Sequence, residues 1–363
     1  MIISPILPRI GEQLNADQSM LGWLVTAYAS MLGLFALIIG PISDRIGRRK
    51  ILLLGTSGMA ISLLLHAIAY DFWSLLIFRA LSGMAGGVLS GVAVAYVGDY
   101  FPYEKRGWAN GWIMSGIAMG QIIGIPLGTV LAESFGYKIP FVAFGVLMCM
   151  AFVLILFTVP QPQVNKKKKK VSFRSVIRGY LELIKRKDVQ AVSLSYTLMF
   201  LSISVFIVYL PAWIESTFKV NGNAIASIFL VGGVANVLSG PQAGKLSDRL
   251  GRKNIIITSC IGLFLLLGST TYLMVEFWVA YPLFFFVMVL IAMRISPFQA
   301  LSSELVNADK RGTLMSLLIS IGQIGNSIGG GIAGPLYESS GYTGNAILSA
   351  FTMLIMAFVV WKY

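Results

Sequence analysis

The chain has 363 residues, of which 56% are apolar and 12% charged, and its mean hydropathy is +0.80. Too few polar groups are available to cover a soluble core, so a soluble enzyme is excluded. The formal net charge of +13 reports topology rather than nucleic acid. Of 28 Lys and Arg, 23 lie at 45–50, 105–106, 166–187, 245–253, 310–311 and 362, while the alternate loops hold Arg9, Lys138 and Lys219. By the positive-inside rule the basic loops are expected to be cytoplasmic.

Apolar stretches of the ~20 residues that span a bilayer fall at 20–41, 51–70, 73–97, 108–132, 139–159, 190–213, 223–243, 254–275, 277–300, 312–336 and 343–361. The expected fold is an all-α polytopic membrane protein. The first stretch, ahead of Arg9, is only eight residues long and lacks the basic start of a signal peptide. It reads as the remnant of a first helix whose beginning is truncated, in an intact protein of twelve helices.

The polar segment 161–189, with Lys166 to Lys170, divides an N-terminal bundle (1–160) from a C-terminal bundle (190–363) and is expected to be a solvated cytoplasmic linker. The halves repeat. Gly40-Pro-Ile-Ser-Asp-Arg-Ile-Gly-Arg-Arg-Lys50 matches Gly244-Lys-Leu-Ser-Asp-Arg-Leu-Gly-Arg-Lys-Asn254, Lys105-Arg106-Gly107 matches Lys310-Arg311-Gly312, and Glu133-Ser-Phe-Gly-Tyr137 matches Glu338-Ser-Ser-Gly-Tyr342. The offsets are 204, 205 and 205, as expected for parallel six-helix halves related by an axis along the membrane normal.

The first of these repeats resembles the signature of the major facilitator superfamily, Gly-x-x-x-Asp-Arg-x-Gly-Arg-Arg/Lys. Its positions here are Gly40, Asp44, Arg45, Gly47, Arg48 and Arg49, with a second copy at Gly244, Asp248, Arg249, Gly251 and Arg252. Glycine permits a tight turn between helices, and an Asp among basic residues can latch one conformation and release in another.

Arg79 lies about 9 Å into the fourth helix at 1.5 Å per residue, in Leu75-x-x-x-Arg79-x-x-x-Gly83. A buried guanidinium is costly and should face a cavity or a partner. The resemblance implies a role in proton coupling or substrate contact. Arg294, near Pro297 in the tenth helix, is the other arginine within an apolar span and is not the repeat mate of Arg79; Phe284 holds that place.

In the fifth helix, Gly116, Gly120, Gly124, Pro126 and Gly128 put small residues on one face, which predicts close packing on a neighbouring helix and a bend at Pro126. Gly124-Ile-Pro126-Leu-Gly128 resembles the antiporter motif of drug and sugar efflux members, with the usual Gly-Pro pair split by Ile125. The resemblance implies a central cavity, and the polar residues expected around it at mid-depth are Gln121 and its repeat mate Asn326, with Gln323, Asn236 and Tyr196.

All fifteen Asp and Glu lie in loops or near helix ends. His66 is expected to pack rather than relay protons. Cys149 and Cys260, in separate spans without nearby ligands, imply neither metal site nor disulfide, and no cofactor is expected. The absence of a phosphate-binding loop leaves ATP drive unsupported. The reading is a monomeric, multi-pass cell-membrane exporter of lipophilic drugs or sugar-like metabolites, driven by proton antiport. An importer of a sugar or organic anion and a transport-inactive sensor are the alternatives; a membrane enzyme lacks a nucleophile, base and metal constellation.

Overall fold

The computed structural model describes residues 3–102, 105, 108–109, 112–113, 115–116, 119–161, 173–307 and 310–362; the side chains of 40, 41, 44, 45, 98, 173–177 and 303 are outside the description. Its helices are α1 (Leu7–Leu14), α2 (Trp23–Ile46), α3 (Arg48–Leu65), α4 (Phe72–Leu89), α5 (Val92–Tyr100), α6 (Ile125–Phe135), α7 (Lys138–Thr158), α8 (Phe173–Ile184), α9 (Lys187–Phe218), α10 (Gly222–Leu250), α11 (Arg252–Leu273), α12 (Ala280–Glu304) and α13 (Arg311–Lys362). Nine helices among the described residues are long and apolar enough to cross a membrane. Large apolar side chains on their outer faces, such as Leu54, Leu154, Phe157 and Phe358, remain exposed, as lipid contact requires.

The boundaries follow from local chemistry. Asp71 opens α4 by accepting a hydrogen bond from the Ser74 backbone N–H at 2.8 Å, while Ser74 Oγ accepts from the Asp71 N–H at 3.2 Å. These two bonds satisfy two of the orphan donors of the first turn. The Ser74 bonds also hold the Asp71 carboxyl below its ordinary value. Asn221 opens α10 in the same way, accepting from Ala224 N at 3.1 Å.

The repeated glycines punctuate both halves. Gly47 (φ 104, ψ 139) separates α2 from α3, and Gly251 (φ 91, ψ 129) separates α10 from α11. Gly136 (φ 91) and Gly341 (φ 62) make the second pair; Gly341 divides α13 into two spanning arms. Only glycine occupies these conformations without strain. The chain therefore turns at equivalent points in each half, at one end beside the basic clusters and at the other beside Glu133 and Glu338. We call these the basic end and the acidic end.

Within the halves, α2 packs on α4 and α3 on α7; α10 packs on α12, and α9 and α11 on α13. Polar groups tie the apolar C-terminal half together. Tyr342 Oη donates to Phe206 O (2.9 Å), Asn345 Nδ2 to Ala333 O (3.0 Å), and Ser202 and Ser349 exchange hydroxyl-to-carbonyl bonds of 2.9 and 3.1 Å. In a membrane such bonds supply specificity that apolar contact with lipid cannot. The main contacts between the halves are α2 against α13 and α6 against α10, and α1 also packs on α9.

The segment expected to be a solvated linker is in part a helix. Residues 162–172, including Lys166 to Lys170, lie outside the described residues, but α8 docks by Leu183, which is 2% exposed, and by Tyr180, whose Oη donates to Leu37 O at 3.4 Å. The apolar spacing Val176, Ile177, Tyr180, Leu183 and Ile184 is that of an amphipathic helix.

Candidate functional site

The site is built where the two halves meet. Toward the acidic end, α2 and α13 approach closely enough that a Cβ on Gly22 would lie within 3 Å of Gly330 O, and one on Gly334 within 3 Å of Ser19 O. Hydrogen bonds follow from this closeness: Thr26 Oγ1 donates to Ser327 O and Ser320 Oγ to Gly33 O, both at 2.7 Å. Tyr209 of α9 completes the seam. Its Oη donates to Gln18 O at 2.5 Å and accepts from Gly22 N at 3.1 Å.

An ionic bridge closes the same end. Arg9 donates to Glu133 Oε2 through Nε (2.7 Å) and to Oε1 through Nη2 (2.8 Å), and it lies 3.3 Å from Glu215 Oε1 in the other half. Glu133 also faces the start of α10, where a Cβ on Gly222 would meet its carboxylate. The Arg9 hydrogen bonds hold the Glu133 carboxyl below its ordinary value, and Glu133 in turn raises that of Arg9. Nothing in the sequence spacing signals that Arg9 binds both carboxylates.

Arg79 is 8% exposed, and the carbon at the centre of its guanidinium lies 4.5 Å from the centroid of the Tyr28 ring. Its Nε donates to Leu24 O at 3.4 Å. Among the described residues it has no carboxylate partner and no bond from either Nη. The glycine at Gly83 makes the arrangement possible, because a Cβ there would fall within 3 Å of Tyr28 O; Gly87 meets Leu32 O in the same way. Close backbone contact sets the Tyr28 ring beneath the cation, where the ring quadrupole attracts it. Tyr28 is the residue that sequence reasoning missed. Nearby His66 is fully buried, stacked on Phe141 at 4.1 Å with Nδ1 2.7 Å from Ser62 O, as a packing residue would be.

Of the mid-depth polar residues, Asn236 Nδ2 of α10 donates at 2.9 Å to Gln121 Oε1, in the turn that leads into α6. Asn326 Nδ2 donates to Gln323 Oε1 at 3.4 Å on its own helix, and the Gln323 side chain lies against Gly33 of α2. Tyr196 is 4% exposed, stacked on Phe200 and tilted against Phe298. Arg294 is fully buried inside the C-terminal half, with Nη1 against Met353 Sδ, rather than at the seam between the halves. The helix runs unbroken through Pro297.

At the basic end, each repeated loop pairs an arginine with the acid that ends a later helix. Arg48 Nε donates to Asp99 Oδ2 at 2.9 Å, Arg48 also reaches Ser43, and Arg49 Nη2 donates to Leu156 O at 2.6 Å. In the other half, Arg252 pairs with Glu304 and lies 3.5 Å from Asp248, while Arg249 is exposed. Gly244 sits against Ser296, with room for a Cβ. The side chains of Asp44 and Arg45, and position 40, lie outside the described residues.

The fifth helix departs from expectation. Among the described residues a Cβ on Gly116, Gly120 or Gly124 would meet nothing within 4 Å, although Gly124, like Gly128, is buried; the contact with α10 is made instead by the backbone of Gln121 and Ile122 against Gly233. Between Gly120 and Gly124 the helix widens to i→i+5 turns, with Ile125 N–H bonded to Gly120 O. Pro126 explains this, since it offers no N–H and its ring crowds the carbonyl four residues back. A Cβ on Gly240, on the basic half of α10, would likewise meet nothing within 4 Å. Among the described residues the contacts between the halves run from mid-depth, at Gln121–Asn236 and Ser320–Gly33, to the acidic end at Arg9–Glu215.

Comparison with known proteins agrees with this geometry. The family profile described as Major Facilitator Superfamily matches residues 1–192 and 192–363. An uncharacterized MFS-type transporter of Bacillus subtilis, YceJ, is 27% identical over 371 residues, covering 100% of this chain and 91% of that protein. The multidrug resistance protein MdtG of Escherichia coli is 31% identical over 283 residues, 75% of this chain and 68% of that protein. The crystal structure of a D-xylose–proton symporter superposes with a TM-score of 0.81 at 18% identity, covering 100% of this chain and 93% of that one. Two parallel helical halves, a repeated glycine-turned basic loop and a profile match along the whole length have one reading: this chain is a multi-pass membrane protein that belongs to the Major Facilitator Superfamily of transporters.

Proposed function

We propose that this chain is a secondary active exporter of small molecules, lipophilic drugs or sugar-like metabolites, working by proton antiport in the plasma membrane. Its bundles are 1–160 and 190–363, joined by a cytoplasmic basic linker at 161–189, and it acts as a monomer. With the basic loops cytoplasmic, a closed acidic end corresponds to the inward-facing state, and transport requires the halves to rock about the α2–α13 and α6–α10 contacts.

The observation that carries coupled transport is Arg79, a buried cation whose two Nη groups have no hydrogen-bond partner among the described residues. Such a group is maintained in a membrane where it serves a substrate or a proton path. Export is favoured by Gly124-Ile-Pro126-Leu-Gly128 and by the 31% identity to a multidrug resistance protein. Around the seam, Gln121, Asn236, Gln323 and Asn326 offer hydrogen bonds, with Gly83 and Tyr196 shaping the wall. The repeated loops act as latches through Arg48–Asp99 and Arg252–Glu304, with Asp44, Arg45, Asp248 and Arg249 engaging as the halves rock. Uptake of an organic anion is the second reading, favoured by the lack of any mid-membrane carboxylate opposite Arg79.

The test is accumulation of a panel of lipophilic dyes and antibiotics in energised cells expressing the protein, with and without a protonophore. Lower accumulation that the protonophore reverses is expected. Raised accumulation of an anionic compound would move the assignment to uptake.

A further inference from the structure

The seam between α2 and α13 keeps an antiparallel register. Ser19 faces Gly334, Gly22 faces Gly330, Thr26 bonds to Ser327 and Gly33 to Ser320. Each step toward the basic end along α2 is matched by a nearly equal step back along α13. One further helical turn, four residues on each side, sets Leu37 opposite Ser316. At Gly33 a serine hydroxyl of α13 donates directly to a carbonyl of α2. At Leu37 the carbonyl instead accepts from Tyr180 Oη of α8, at 3.4 Å, and the Ser316 side chain lies beside the same hydroxyl.

The rest of α8 is held by the C-terminal half, against α9 and α13. A Cβ on Gly179 would lie 4.0 Å from Thr313 Cγ2, Glu182 is 3.5 Å from Lys310 Nζ, and Leu183 is buried. These three positions share one helical face. Just past the helix, Arg186 Nη2 donates to Leu305 O at 2.9 Å. Tyr180 is the side chain that leaves this anchored helix for α2. A long aromatic residue carried by one half thus stands where a short hydroxyl of the same half would otherwise reach across. For α2 and α13 to meet at Leu37 as they do at Gly33, the Tyr180 ring has to withdraw.

We propose that Tyr180 is a positioning residue of the transport cycle, a spacer that stops the direct α2–α13 contact at Gly33 and Ser320. It withdraws with α8 when the basic end closes, and Ser316 Oγ then takes over the Leu37 carbonyl. The two hydrogen-bonded arrangements at Leu37 are the two states of one bistable element. The spacer is engaged while the acidic end is sealed, so its removal favours the opposite arrangement. The proposal rests on the rocking of the halves proposed above, and holds whichever substrate is carried and in whichever direction.

The experiment uses the full chain in lipid nanodiscs, with paired spin labels and distances read by double electron–electron resonance. Cys149→Ala removes the accessible native thiol, since Cys260 is buried. One label pair, at Lys50→Cys and Lys245→Cys, spans the basic end; another, at Ser134→Cys and Thr217→Cys, spans the acidic end, and all four positions are exposed. Tyr180→Ala should raise the ratio of short to long basic-end distances about two- to tenfold, the worth of one hydrogen bond. The acidic-end distances should lengthen in step. Tyr180→Phe alters one hydroxyl and should give a smaller shift of the same sign. Adding Ser316→Ala to Tyr180→Ala should cancel part of the shift, because that hydroxyl then serves only the closed basic end; a merely structural loss would not be reversed by a second deletion. Two populations in wild type whose ratio neither Tyr180 variant changes would overturn the proposal and leave rocking intact. A single distance at each end, in wild type and variants alike, would overturn rocking and the proposal with it.

Discussion

The guanidinium of Arg79 on α4 lies 4.5 Å over the ring of Tyr28 on α2, held there by a glycine, Gly83, against which the Tyr28 backbone rests. In the C-terminal half the bulk is exchanged. Phe284 stands at the place equivalent to Arg79, and Gly232 at that equivalent to Tyr28, with the Phe284 ring packed directly on Gly232. At this pair of equivalent places, one half thus holds a cation on an aromatic ring and the other an apolar contact.

Arg79→Ala is expected to abolish coupled transport while expression in the membrane persists. Tyr28→Phe keeps the ring face and should transport nearly as wild type. Tyr28→Leu removes a cation–π contact of about 0.5–2 kcal/mol and should slow transport several-fold. Transport rates normalised to membrane-inserted protein decide this, and full activity in Arg79→Ala would refute the assignment.

Two glycine substitutions should separate packing from free space. Gly83→Ala forces a methyl group into Tyr28 O and should lower stability by about 1–3 kcal/mol, read as a fall in Tm. Gly120→Ala meets nothing within 4 Å and should leave Tm within a degree. Equal losses in both would contradict the helix spacing described.

Gly334→Ala places its methyl against Ser19 O at the α2–α13 seam and should favour the arrangement in which the acidic end is open. Distances between spin labels placed across that end should lengthen relative to wild type. An unchanged distribution would count against closure by backbone contact.

The Arg9–Glu133 bridge carries a pH dependence of definite sign. The Glu133 carboxyl is held below its ordinary value of 4.5, chiefly by its hydrogen bonds from Arg9. Its contribution is therefore complete above that ordinary value and is lost as pH falls through the lowered one. The share of closure that Glu133 supplies, read by the same labels as the difference between wild type and Glu133→Gln, should be constant from about pH 8 to about pH 5 and weaken only in stronger acid. Glu133→Gln should reproduce the acid behaviour at neutral pH.

At the basic end, Asp99→Asn and Glu304→Gln remove the Arg48–Asp99 and Arg252–Glu304 ion pairs. Exposed pairs contribute about 1 kcal/mol or less, so stability should change little while the rate of switching falls. Asp44→Asn should impair switching as well, and unchanged transport rates in all three would count against the latch.

The two-half architecture was readable because glycines at 47 and 251, and at 136 and 341, occupy backbone conformations that other residues avoid; the repeat in sequence is a repeat in φ. The cost of burying Arg79 made it legible too. The partner of Gln121 was not. Repeat mates sit on opposite sides of the pseudo-twofold axis, so the helix that meets α6 is α10, and Gln121 finds Asn236 rather than Asn326. The environment of the glycines at 116, 120 and 124 was not legible for a related reason: small residues permit contact without compelling it, and among the described residues a Cβ on any of them meets nothing within 4 Å. For Arg294, apolar residues surround its helix on every side, so periodicity did not reveal which face turns to the seam.

Proton antiport by export is tested most directly in inverted membrane vesicles that hold an acidic lumen, with a pH-sensitive dye inside. Adding a transported drug should release luminal protons promptly in vesicles carrying the wild-type chain, and not in those carrying Arg79→Ala. Absence of drug-dependent proton release with a compound whose transport is otherwise demonstrated would contradict the account.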